Sequence, residues 1–123
     1  MALTGDPYPS ETVKVGHHGP VKWVILDGAA SADLVALVAG KKIRVLSLIM
    51  QSTIAVGATW KLQTGGATDL TPVFLNAVVN QSQVEWPYNP MGWVETVSGA
   101  KLNVVTANQT AFKLLITYEE VEP

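Results

Sequence analysis

The chain has 123 residues, the size of one domain, and no cysteine, which excludes disulfides and thiolate metal centres. Ten carboxylates against eight basic residues leave a formal charge of −2, without the basic surplus of a protein that works on a phosphate backbone, so no nucleic-acid partner is expected. Charged residues make up 15% of the chain, against about 25% in ordinary soluble domains, and the mean hydropathy is +0.25. Such a domain has apolar surface left over for contacts with further subunits or a partner.

No apolar run approaches the ~20 residues of a spanning helix. Met1 to Pro7 has neither the basic nor the apolar region of a signal peptide, so neither membrane nor secretion is expected. Residues 1–20 read as an N-terminal arm, punctuated by Pro7, Pro9, Gly16, Gly19 and Pro20, with a short strand over Thr12–Val15 at most. From Val21 the texture changes to β-branched and aliphatic runs parted by turn residues every 8–12 positions, so residues 21–123 read as one β-domain.

In chain order, strands are expected over Val21–Asp27, Asp33–Val38, Ile43–Gln51, Val56–Thr64, Pro72–Val79, Ser82–Trp86, Gly92–Val97, Lys101–Thr106 and Phe112–Val121. The turns between them fall at Gly28, Ala39–Lys42, Gly65-Gly66, Pro87 and Ser98-Gly99. Ser31–Ala39 also fits a short helix with Ser31 as N-cap and Gly40 as C-cap; strand is preferred because Gly40-Lys41-Lys42 makes a tight return. Period-two alternation is clear at Trp60/Leu62 against Lys61/Gln63 and at Leu102/Val104/Thr106 against Asn103. It is clear again at Phe112/Leu114/Ile116/Tyr118 against Lys113/Thr117/Glu119. Val45–Met50 is apolar on both faces apart from Ser47, as expected of a strand covered by the other sheet and by a neighbouring subunit. The whole predicts an all-β, two-sheet antiparallel sandwich of jelly-roll type, with an immunoglobulin-like sandwich as the alternative.

Little in the chain suits catalysis. His17-His18 is the one histidine pair, and neighbours on an extended chain point to opposite sides, so no metal site is expected. Glu85 and Glu95 flank the segment 86–94 and would be a glycosidase-like carboxylate pair if they met, but like charges directly opposed cost stability and a separated placement is favoured. Gly65-Gly66 lacks the lysine and helix of a phosphate loop, and a turn explains it. Asn80-Gln81-Ser82 and Asn108-Gln109-Thr110 fit the glycosylation pattern, which carries no weight without a secretion signal. No catalytic residue, cofactor or metal is therefore assigned.

Two groups remain as partner-binding candidates. Lys41, Lys42 and Arg44 concentrate three of the eight basic residues; a solvated turn is the plain reading, an ionic contact to a partner the functional one. Trp86, Tyr88 and Trp93 cluster around Pro87 and Pro90, either as a buried rigid corner, which the prolines and Gly92 favour, or as an exposed platform for a sugar or protein.

The same segment carries a resemblance. Asn89-Pro90-Met91-Gly92-Trp93-Val94-Glu95-Thr96, then Gly99, Leu102-Asn103-Val104 and Ile116-Thr117-Tyr118, resembles small structural proteins of tailed phages. Ala39–Leu46 is similar to that family's hairpin and Thr68-Asp69-Leu70 to its middle turn, so the likeness spans Ile25–Val121 and leaves the arm outside. The resemblance implies a jelly-roll-like sandwich used on the virion, as a capsid decoration (cement) protein or as a tail or receptor-binding module. On that reading the partner is the major capsid protein, the protein is a homo-oligomer (a trimer by the family's habit) assembled in the host cytoplasm, and the arm orders on docking. The matching positions are turn and core residues and carry over no catalytic site.

Overall fold

The computed structural model describes residues 20–52, 57–75 and 82–123. In chain order the strands are β1 (Lys22–Asp27), β2 (Ala32–Val35), β3 (Lys42–Ser52), β4 (Thr59–Thr64), β5 (Thr68–Asp69), β6 (Phe74–Leu75), β7 (Ser82–Trp86), β8 (Val94–Glu95), β9 (Leu102–Ala107) and β10 (Phe112–Val121). The described residues contain no helix, and every strand pairing is antiparallel. Residues 1–19 of the arm, with the Thr12–Val15 strand, His17 and His18, lie outside the described residues, as do Asn80 and the predicted strand positions Val56 and 76–79.

The first sheet runs β1-β10-β3-β7 with β8 further along β3; the second runs β2-β9-β4-β5 with β6 further along β4. Since β5 and β6 share β4, and β7 and β8 share β3, each pair is one interrupted strand. The chain then changes sheet at every connection except the β4–β5 hairpin, which is the jelly-roll order and not the immunoglobulin one.

Alternation explains the layers. Val24 and Leu26 of β1, Ile43, Val45, Leu48 and Met50 of β3, and Phe112, Leu114 and Ile116 of β10 face Leu34, Val35, Trp60, Leu62, Leu102 and Val104 of the second sheet. Each such side chain, fully buried, contributes about 1.5–3 kcal/mol before the entropy of ordering is subtracted. Trp60 is the largest member and stacks on Phe74 at 4.6 Å and Phe112 at 6.1 Å between ring centres.

Four expectations are corrected. The Ser31–Ala39 segment is strand over Ala32–Val35 alone, and Ser31 is no helix cap: its Oγ accepts the Thr106 N–H at 2.9 Å. Gly92–Val97 shrinks to β8, because Gly92 and Trp93 belong to the loop before it and Thr96 pairs with Ile43 partly through its hydroxyl. Thr68-Asp69 is a strand and not a turn, paired with Thr64 and Gln63 across the Gly65-Gly66 turn. Of the strand expected over Pro72–Val79, the described part is strand at Phe74–Leu75 alone; before Pro72 the Thr71 hydroxyl takes the place of a carbonyl, accepting the Leu62 N–H at 3.1 Å.

In the apolar run Val45–Met50 the other sheet covers Val45, Leu48 and Met50, and a bulge adds to the run. Ser47 pairs with Thr117 and Val45 with Tyr118, so Leu46 is the extra residue of a β-bulge. The bulge puts Val45 as well as Leu48 and Met50 into the core, and leaves Ser47 and Ile49 on the outer face. Ile49 is 36% exposed, so the described residues leave that face partly open there.

Candidate functional site

The segment 87–93 interrupts the β7/β8 strand and docks on the bulge. Asn89 N–H donates to the Leu46 carbonyl and Trp93 N–H to the Val45 carbonyl, both at 2.8 Å. Asn89-Pro90-Met91-Gly92 is a β-turn closed by Gly92 N–H to Asn89 O at 2.9 Å, with Pro90 presetting φ and the Asn89 carboxamide accepting the Met91 N–H. Gly92 has φ +85° and leaves no room for a Cβ, which would lie 2.4 Å from Arg44 Cγ. The sequence candidates Arg44 and Trp93, far apart in the chain, are thus brought to one end of the first sheet.

The basic trio is spent on ion pairs inside the chain. Arg44 Nε donates to Glu95 Oε2 at 2.6 Å, and its guanidinium also reaches the fully buried Glu119 at 3.3 Å. Register makes this unavoidable, since Glu119, Arg44 and Glu95 are cross-strand neighbours on β10, β3 and β8. Glu119 therefore keeps to the outer face as its alternation requires and is nevertheless buried. Lys42 lies 3.8 Å from Glu95, and Lys41 3.0 Å from Glu122.

The aromatic candidates divide. Trp86 packs against the core, while Trp93 is 44% exposed and Tyr88 is exposed, so the buried-corner reading holds for Trp86 alone. Phe112, Trp60, Phe74, Trp86 and Trp93 form a continuous chain of rings from the core to the surface, the last step 5.7 Å. Trp93 Nε1–H donates to Pro87 O at 2.8 Å, which fixes the ring but leaves its face to solvent. Met91 beside it is exposed.

Glu85 and Glu95 do not meet. Their partners on β3 are Ile49 and Arg44, roughly 15 Å apart along a strand, beyond the ~5–9.5 Å of a hydrolytic carboxylate pair. Among the described residues no cluster of three or more His, Cys, Asp or Glu is placed to hold a metal ion, and no helix is long and apolar enough to cross a membrane.

Comparison with protein families finds no family that matches this chain, and comparison with curated proteins finds no relative. The phage-family reading rests on the motifs of the chain itself.

One surface escaped the sequence reading. On the outer face of the first sheet, Ile25, Leu115, Ile49 and Glu85 form one cross-strand row, with Trp23, Thr117 and Ser47 in the next. Trp23 is 69% and Ile25 66% exposed. A hollow of about 180 Å³ opens on this face, lined by Ile25, Ile49, Gln51, Lys113, Leu114 and Leu115. The signal was present in Val21-Lys22-Trp23-Val24-Ile25-Leu26, apolar on both faces like Val45–Met50, because Val24 and Leu26 already fill the core side.

The second sheet carries a polar row instead. Asn103 Nδ2–H donates to Gln63 Oε1 at 3.2 Å, Gln63 Nε2–H donates to Asp69 Oδ1 at 3.0 Å, and Lys61 lies 3.0 Å from Asp69. The bond from Gln63, and after it the one from Lys61, holds the Asp69 carboxyl below its ordinary value of 3.8. Gly66 N–H donates to Asn103 Oδ1, so the row ties the β4–β5 turn to β9, a structural task that explains it fully.

Proposed function

We propose that the protein is a non-enzymatic virion structural protein of the capsid-decoration kind, binding the major capsid protein as a homo-oligomer and reinforcing the shell. Two things support this reading: the phage-like motifs at 39–46 and 89–96, and a jelly roll with few charges whose first sheet turns an apolar face outward. The single observation that carries the binding role is the exposure of Trp23 and Ile25 on that face. The mechanism is burial of such surface at subunit junctions, which adds free energy to the assembled state alone. Co-sedimentation of the purified chain with undecorated phage capsids tests it. Saturable binding with a raised shell melting temperature is expected; no association at tens of micromolar would sink the proposal.

A second reading, a tail-associated receptor- or carbohydrate-binding module, is favoured by the solvent-facing Trp93 and Tyr88 with exposed Met91 between them. Retention on a host-glycan array, lost in Trp93→Ala, would select this reading over the first.

A further inference from the structure

We propose that the outer face of the first sheet is a self-association surface, on which Trp23 of one copy enters the hollow between Ile25 and Ile49 of another. This deepens the oligomer reading above by naming the contact and its residues.

Shape is the first argument. Trp23 is more than two-thirds exposed, while the hollow one row away has apolar walls of Ile25, Ile49 and Leu115, with Gln51 and Lys113 at its edge. It is an open hollow of about 180 Å³, a volume comparable to cavities that accept a six-membered ring, so it can seat the edge of an indole. Knob and hole are different residues of one face, so the contact closes through a twofold pair or a ring of three.

Charge is the second. Every other Lys, Arg, Asp and Glu among the described residues has an ion-pair partner within the chain. Asp27, Glu85 and Lys113 make no such contact and all three border this patch; Asp27 and Lys113 are direct cross-strand neighbours, whereas Glu85 has the apolar Ile49 opposite it. Lys113 lies in the row next to Ile25 and Leu115; Glu85 ends the row of Ile49. With Lys113 on one side of the apolar centre and Glu85 on the other, the face is complementary to the same face of a second copy, where Lys113 meets Glu85 across the junction. An interface whose charges are left over by the fold and whose centre is an aromatic anchor has the anatomy of a protein contact.

The test is sedimentation equilibrium of the full chain from micromolar to submillimolar concentration, beside Trp23→Ala, Lys113→Glu and Glu85→Lys. The expected result is a dimer or trimer that Trp23→Ala weakens by at least about tenfold. Lys113→Glu and Glu85→Lys each weaken it, and mixing these two variants restores association. Since all three positions are exposed, circular dichroism of each variant should be unchanged. A monomer throughout, or an oligomer indifferent to Trp23→Ala, would overturn the proposal. Capsid co-sedimentation is read separately: a monomer that binds capsids ends the self-association and leaves the decoration reading standing, and an oligomer that ignores capsids does the reverse.

Discussion

Gly92 lies directly against the aliphatic stem of Arg44, so close that a Cβ would fall 2.4 Å from Arg44 Cγ and 2.7 Å from Cδ. This one contact ties the loop 87–93 to the ion-paired strand beneath it, and it gives a glycine two independent reasons to be there, its φ of +85° and its lack of a side chain. Gly92→Ala is expected to cost about 1–3 kcal/mol in chemical denaturation. In an Arg44→Ala background the steric part disappears and the backbone part remains. A double-mutant cycle in which the two changes simply add would refute the contact.

Glu119 is fully buried on a face that is elsewhere open, and Arg44 is what makes that tolerable. Arg44→Met leaves the carboxylate buried beside an apolar side chain and should destabilise the protein by about 3–5 kcal/mol. Adding Glu119→Leu should recover most of the loss, because desolvation of the pair opposes its attraction. Urea midpoints of the two variants decide, and equal midpoints would mean the ion pair is idle.

Trp60 is buried and Tyr88 is exposed. Trp60→Ala removes the ring that joins Phe74 to Phe112 and is expected to cost about 3–5 kcal/mol. Tyr88→Ala should stay within about 0.5 kcal/mol, as surface changes do. A large effect at Tyr88 in thermal melting would show that the 87–93 loop leans on it.

Asp69 should titrate below the ordinary aspartate value of 3.8, first through Gln63 and then through Lys61. Its folded value is lowered, so its contribution to stability is present above the unfolded value and is lost as pH falls through the folded one. Carbon-detected NMR titration should show the midpoint moving back up in Gln63→Ala. High salt should raise it less, since the bond from Gln63 is uncharged and the partner Lys61 is screened. An unmoved midpoint in Gln63→Ala would refute the assignment of cause.

The strands that alternate cleanly were legible in the chain by themselves. Phe112–Val121 and Ser82–Trp86 were read with the bounds they have, and Val21–Asp27 to within one residue, because period-two burial and flanking turn residues are local properties. The two-sheet class followed from their number and spacing. What the tertiary structure alone decided is which residues meet across strands. The Leu46 bulge shifts the register by one residue, and so decides that Val45 faces the core and Arg44 sits between Glu95 and Glu119. No local pattern announces such a shift, since its energy comes from the partner strand and from the loop that docks on it. The aromatic segment was visible as composition, but whether a ring is buried depends on what lies opposite: Phe74 covers Trp86, and nothing among the described residues covers Trp23. Side-chain identity sets what a residue contributes when it is covered; pairing and packing at a distance along the chain set whether it is.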